Sequence, residues 1–233
     1  MQGDRLVLQD SLFSDYEGDR WFERNCRALN AFDPSADLPL KLISLYGLTP
    51  ERVLEIGAAN GFRLAAIHKR TSAEAVALEP SAQAVLNGKA SFPFITFIRG
   101  TASAVPLRDS FDLVIVNFVF HWIDRRSLLR AVAEVDRLVS DGGYLLIGDF
   151  HPANQLQVSY HHLKTEEVFT YKQNYAATFL ASGLYHPVSL LTAHHANKEL
   201  QARVAESDRI GVWLLRKELQ GHYLGSLVNN ARG

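Results

Sequence analysis

The chain has 233 residues, 47% of them hydrophobic and 21% charged, with a net charge of −1. That balance, without any local Lys/Arg cluster, excludes nucleic acid and anionic membrane as partners held by charge. One cysteine, Cys26, excludes a disulfide framework and a Cys-built metal site. The opening "MQGDRLVLQD" is neither a signal peptide nor a spanning segment, and no apolar run approaches ~20 residues, so a cytoplasmic location is expected.

In chain order, the residues up to about Asp37 read as a helical preface. "EGDRWFERNCRALNAF" places Trp21, Phe22, Cys26 and Leu29 at helical spacing with charges on the other side. "ADLPLKLISLYGL" predicts a second helix, stopped by Gly47 and followed by Pro50. From Arg52 the rhythm becomes alternating strand and helix. Strands are predicted in "VLEIG", "AVALEP", "FITFIRG", "FDLVIVNF" and "GYLLIGDF". Helices are predicted in "FRLAAIHKR", "SAQAVLNGKA" and "RRSLLRAVAEVDRLVS". Runs that are apolar throughout belong to strands covered on both faces, hence a parallel sheet. "HPANQLQVSYHHLKTEEVFTYKQN" has no clean period and reads as loop or lid. "YAATFLASGLY" then predicts a helix stopped by Gly183, and "HPVSLLTAHH" and "RIGVWLLRKEL" two closing strands.

The turn after the first strand reads Glu55, Ile56, Gly57, Ala58, Ala59, Asn60, Gly61. Glycine at a strand end lets backbone approach a ligand, and the following helix start offers free N–H groups. A dinucleotide site favours G-x-G-x-x-G around a pyrophosphate. Here Ala59 breaks that spacing, and Glu55 would repel phosphate but pair with an ammonium. The next strand ends in Glu79, where doubly wound folds place the acid that accepts ribose hydroxyls. The expected ligand is an adenosine-type nucleoside carrying positive charge.

With those residues in place, the chain resembles the class I S-adenosylmethionine-dependent methyltransferases of small-molecule type. "VLEIGAANG" looks like their glycine-rich first motif and "ALEPS" like the strand ending in the ribose acid. "RGTASAVPLRDSFDLVIVNFVFHWI" looks like the adenine-site stretch running into the fourth strand, and "LVSDGGYLLIGDF" like the turn into the fifth. The resemblance implies a doubly wound, seven-stranded, mostly parallel sheet with a C-terminal antiparallel hairpin, a Rossmann-like α/β fold. An N-terminal helical cap (1–45) would precede a methyltransferase domain (46–233) with a lid-like insertion around 151–173. It implies S-adenosyl-L-methionine as cofactor and S-adenosyl-L-homocysteine as product. Gly57, Ala58 and Gly61 would surround the methionine part, with Glu55 near its amino group. Glu79 would accept the ribose hydroxyls, Pro80 would lie beside the adenine, and Thr101 and Ala102 along its edge. Asn117 would offer a backbone carbonyl. Two departures stand out. Ala59 replaces a common glycine, which is tolerable at negative φ, and Thr101 replaces a frequent Asp, so its hydroxyl would have to serve the adenine.

Methyl transfer is an in-line displacement that needs a base only for a protonated acceptor. His151, just past the fifth strand, and His121, past the fourth, are the candidate bases. Trp122, Tyr16, Trp21, Arg24 and His162 are candidate acceptor contacts. Asp149 with His151 is too thin an oxygen set for Mg²⁺, so no metal is expected. "NFVF" after the fourth strand is not an amino-methylating DNA tetrad, and Cys26 lies far from a cytosine-C5 nucleophile's place. A small-molecule acceptor remains, with oxygen favoured by the histidines. The rivals are a non-catalytic cofactor-binding sensor or scaffold and a nicotinamide-dependent oxidoreductase. A monomer or homodimer is expected.

Overall fold

The structure, a computed structural model, describes residues 9–163 and 167–220. A seven-stranded sheet runs in the order β3-β2-β1-β4-β5-β9-β8. Its parallel part is β1 (Arg52–Ile56), β2 (Glu74–Glu79), β3 (Thr96–Arg99), β4 (Phe111–Asn117) and β5 (Val139–Phe150). β8 (Tyr185–His194) and β9 (Arg209–Lys217) close it as an antiparallel hairpin against β5. β1 pairs with β2 on one side and β4 on the other, so the strand order reverses there and opens a crevice at the carboxyl ends.

The apolar strands are covered on both faces, as their unbroken hydrophobic runs require. α3 (Leu38–Leu45), α4 (Phe62–Thr71) and α5 (Ala82–Ser91) bury Leu42, Ile43, Leu64, Ile67 and Val85 on one face. α6 (Leu128–Leu138) and α7 (Ala176–Ala181) bury Ala131, Val135, Leu138 and Phe179 on the other. Local signals end these helices. Asp37 accepts from Leu40 N to start α3, Ser81 accepts from Ala84 N to start α5, and Gly47 and Gly183 turn the chain at positive φ after α3 and α7.

The preface is helical as expected: α1 (Gln9–Leu12), a π-helical segment (Phe13–Glu17) and α2 (Gly18–Asn30). It is tied down over long sequence separations. Gln9 Nε2 donates to Trp122 O (2.6 Å) and Phe169 O (2.8 Å), and its Oε1 accepts from Phe169 N (3.0 Å). Asp10 accepts from Asp124 N, Ser103 Oγ and Ser127 Oγ. Asp19 accepts from Ser81 Oγ at 2.6 Å.

The stretch expected as loop differs. β6 (Leu156–Ser159) and β7 (Phe169–Lys172) form a separate antiparallel pair. Leu156–Ser159 and Phe169–Lys172 do alternate apolar and polar residues, but over only four residues each, too short a run to set them apart from the loop around them, and all eight are exposed or half-buried. Among the described residues, no helix is long and apolar enough to cross a membrane.

Candidate active site

A cavity of about 550 Å³ lies at the strand-order reversal, walled by the turns after β1, β2 and β4 and roofed by α2. The turn after β1 is shaped by backbone constraint. Gly57 has φ +74, and a Cβ there would collide with Val119 Cγ2; Gly61 has φ +80 and begins α4. Ala59 departs from expectation. Its φ is +48, in the left-handed region, so the alanine is held where glycine would be unstrained. Its amide is fixed there because it donates to Glu79 Oε2 at 2.8 Å, while Ser81 N donates to Oε1 at 2.9 Å. The Glu79 carboxylate thereby pins both strand-end turns. Burial pushes its pKa up to about 7, against the pull of those two N–H groups.

Glu55 does not line the cavity; it is almost fully buried behind it, in an ion pair with Arg63. A carboxylate one residue before the strand end points into the sheet face, where α4 delivers Arg63 to meet it. Arg63 also grips Asp37 through Nε (3.1 Å) and Nη2 (2.9 Å), and Arg63 and Asp37 face the cavity. Burial pushes the Glu55 carboxyl up to about 7 despite Arg63. The guanidinium stays protonated because two carboxylates outweigh its own burial. Neither Arg63 nor Asp37 was singled out from the sequence. The available signals were the place of Arg63 one residue inside α4 and of Asp37 at the cap of α3.

Gly57, Glu79, Pro80, Thr101, Ala102 and Asn117 all line the cavity; Ala58 and Gly61 lie behind its wall. Thr101 Oγ1 sits 3.4 Å from Ser103 Oγ, and Asp10 of the preface lines the cavity beside them. Asn117 Oδ1 is buried with no hydrogen-bond partner among the described residues.

Of the candidate bases, His121 lines the cavity and His151 does not. Side chains alternate along β5, so Phe150 enters the cavity and His151 turns to the other face, against Gly211 and Trp213. Burial lowers the His151 pKa there, and its ring nitrogens have no partner among the described residues. The expectation that the fifth strand delivers His151 to the pocket mouth is therefore corrected. His121 is positioned by Asp149: its backbone N donates to Oδ2 (3.2 Å), and Nδ1 lies 3.0 Å from Oδ1, off the ideal hydrogen-bond line. That contact leaves Nε2 as the nitrogen open to a proton.

Of the acceptor candidates, Trp21 and Trp122 line the cavity, with Phe13 packed on Trp122 at 5.0 Å. Tyr16, Arg24 and His162 do not. Tyr16 packs in a satellite cluster under Arg20. Arg24 is ion-paired with buried Glu17 and donates to Tyr160 Oη (3.0 Å). His162 is exposed beside His161 and Tyr160. The rest of the mouth comes from residues without a sequence motif. Phe118, at φ +57, meets Phe150 (5.6 Å), His195 (5.6 Å) and His121 (5.9 Å), with Lys198 beyond.

Residues 54–147 match the methyltransferase domain family model. An uncharacterized methyltransferase of Mycobacterium tuberculosis is 35% identical over 95 residues, covering 40% of this chain and 37% of that protein. The demethylmenaquinone methyltransferase of Renibacterium salmoninarum is 32% identical over 114 residues, covering 48% of this chain and 47% of its own. The matched stretch thus spans less than half of either relative. Among solved structures, a Burkholderia thailandensis 1,6-didemethyltoxoflavin-N1-methyltransferase with 1,6-didemethyltoxoflavin and S-adenosylhomocysteine bound aligns at TM-score 0.65 and 17% identity. That alignment covers 89% of this chain and 87% of that one. Residues 54–147 are thus similar to the methyltransferase domain family, and the fold over 89% of the chain is that of a methyltransferase solved with S-adenosylhomocysteine bound. This chain's residues fit S-adenosylmethionine: the Glu79 oxygens keep lone pairs beyond their two N–H bonds, and the orphaned Asn117 Oδ1 lies in the same wall.

Proposed function

We propose that this protein transfers a methyl group from S-adenosylmethionine to a small-molecule acceptor, at a hydroxyl oxygen, with His121 as general base. The observation carrying the reading is that Glu79, fixed between the turns after β1 and β2, shares one cavity with His121, backed by Asp149. When bound, the cofactor supplies an electrophilic methyl carbon on a sulfonium.

The chain's own residues do the rest. Glu79 accepts from a ribose diol, Pro80, Thr101 and Ala102 flank a base, and Arg63 with Asp37 presents paired charge toward an amino-acid tail. Glu55 acts from behind by holding Arg63. His121 Nε2 takes the proton from the acceptor hydroxyl while Asp149 steadies the imidazolium through Nδ1. Trp21, Trp122 and Phe13 exclude water from the reacting atoms. Within the expected cap (1–45) and lid (around 151–173), the described residues serve as cap and lid, joined through Gln9, while residues 1–8 and 164–166 lie outside the described residues.

Titration calorimetry of the purified protein with S-adenosylmethionine, S-adenosylhomocysteine and NAD⁺ tests this. Micromolar binding of the two sulfur nucleosides and none of NAD⁺ is expected. NAD⁺ binding alone would transfer the chain to the oxidoreductases. Tight cofactor binding without turnover across a broad screen of hydroxylated acceptors would favour the sensor.

A further inference from the structure

The charged side chains lining the cavity differ in one respect, which is whether their charge is met. Asp10 accepts from three donors, Asp37 and Arg63 are paired with each other, and Glu79 accepts two backbone N–H groups. Lys198 is the exception. It stands on the loop between β8 and β9 at φ +58, its amide donating to His194 O (2.9 Å), so a tight turn turns the residue toward the mouth. Its ammonium lies 4.8 Å from the Phe118 ring centroid and, among the described residues, has no carboxylate in ion-pair contact. Burial lowers its pKa to about 8, with Asp37 pulling weakly the other way, as befits a cation short of a counter-charge.

The surroundings define the body of what would meet it. Phe118, Phe150 and His195 form a wall with ring centroids 5.0–5.6 Å apart. Burial lowers the His195 pKa to about 4, so this ring is neutral and apolar in character near pH 7. The nearby Lys172 is already spent, donating to Ser207 O at 2.8 Å. A cationic ligand would meet two ammonium groups here, one over Phe118 and one over Phe150.

We propose that Lys198 is a specificity residue for the acceptor: the mouth takes a flat aromatic molecule bearing an anionic group, such as a carboxylate, its ring on Phe118, Phe150 and His195 and its anion on Lys198. This rests on the methyl-transfer reading and names its substrate class. A carboxylate on the partly buried ammonium forms a charge-assisted hydrogen bond, which a neutral isostere cannot match.

The test uses the full chain saturated with S-adenosylhomocysteine, titrated with 4-hydroxybenzoate and with the neutral isostere 4-hydroxybenzamide. The wild type should prefer the benzoate by about tenfold or more, the scale of a charged hydrogen bond. Lys198→Met should erase the preference while S-adenosylhomocysteine affinity and the thermal midpoint stay unchanged. A wild type that binds both probes alike, or neither, overturns the proposal, as does a preference that survives in Lys198→Met. A loss of S-adenosylhomocysteine affinity in Lys198→Met also overturns it, by giving the lysine to the cofactor's own carboxylate. Failure of the wild type to bind S-adenosylhomocysteine at all would instead remove the methyl-transfer reading beneath it.

Discussion

The two ends of the cavity are built by different means. At the β1–β2 end, short turns carry the site: Gly57, Ala59 and Glu79 lie within one strand–helix–strand unit, where Ala59 N donates to Glu79 and Gly57 N to Leu78 O. At the mouth, the wall comes from four places far apart in sequence, namely α1 and α2, the turn after β4, the end of β5, and the β8–β9 loop. The first end is held by backbone N–H groups on a buried carboxylate. The second is held by side chains bridging more than a hundred positions, such as Gln9 to Trp122 and Tyr160 to Glu17. On the proposed reading, the first end would hold the cofactor and the second the acceptor.

The sharpest way to break the comparison is at His121. If the mouth is chemical and not merely steric, His121→Ala should lower turnover with an acceptor found by screening by about 10²–10⁴-fold. S-adenosylhomocysteine affinity should stay the same by calorimetry. Asp149→Asn should fall between wild type and His121→Ala, because it disturbs only the ring's orientation. Equal loss of cofactor affinity in His121→Ala would place the histidine at the wrong end.

Next in size is Glu79→Ala. Losing a buried, hydrogen-bonded acceptor should weaken S-adenosylhomocysteine binding by about 1–3 kcal/mol. Unchanged affinity would mean that the carboxylate only staples the turns together.

The same contrast explains what was legible in the sequence. The parallel strand–helix alternation and Glu79 at the end of β2 could be read because the unit that builds them is local, with strand, glycine turn, helix and strand inside about 30 residues, whereas the seven-stranded architecture with its closing hairpin came from the family resemblance. Glu55 was readable as an unusual acid but not as Arg63's partner, because that contact depends on the rotation of α4 over the sheet. His151 misled because a strand's boundary, fixed only to within a residue or two, decides which of two neighbours enters the cavity. Phe118, His195 and Lys198 had no signal at all. Phe118 takes its place from the left-handed turn after β4, and His195 and Lys198 from where β8 and β9 set the loop between them, and a single chain carries no local trace of either.

Mouth closure should depend on Gln9, whose amide makes three bonds to Trp122 and β7. Gln9→Ala should cost about 1–2 kcal/mol, read as a lower thermal midpoint, with faster hydrogen exchange at Phe169. A drop in the midpoint without faster exchange there would separate preface docking from the β6–β7 pair.

The cofactor end should also carry a pH signature. The folded pKa of Glu55, about 7, is raised above its unfolded value of 4.5 by burial. Stability from this group is therefore full below pH 4.5 and is lost as pH rises through 7. His195, lowered to about 4, acts in the opposite sense, adding stability as pH rises from 4 to 6.5. The useful quantity is therefore a difference. Glu55→Gln keeps the acceptor facing Arg63 and removes the ionisation, so its thermal midpoint relative to wild type should rise between pH 5 and pH 8. A flat difference would mean that Arg63 keeps Glu55 ionised throughout.

The smallest effect expected is at Ala59, where the contrast between ends is a matter of strain. A left-handed alanine costs about 1–2 kcal/mol relative to a right-handed one. Glycine removes that cost but gives the unfolded chain more freedom, which returns about 0.4–1 kcal/mol. Ala59→Gly should therefore raise stability by between zero and about 1.6 kcal/mol in chemical denaturation, with an unchanged m-value. Binding should hardly move, because the Ala59 amide is already fixed on Glu79 by the fold, whichever residue occupies the position. If S-adenosylhomocysteine affinity falls while stability rises, the alanine is there to hold that amide rigid. The strain would then belong to the cofactor site and not to the turn.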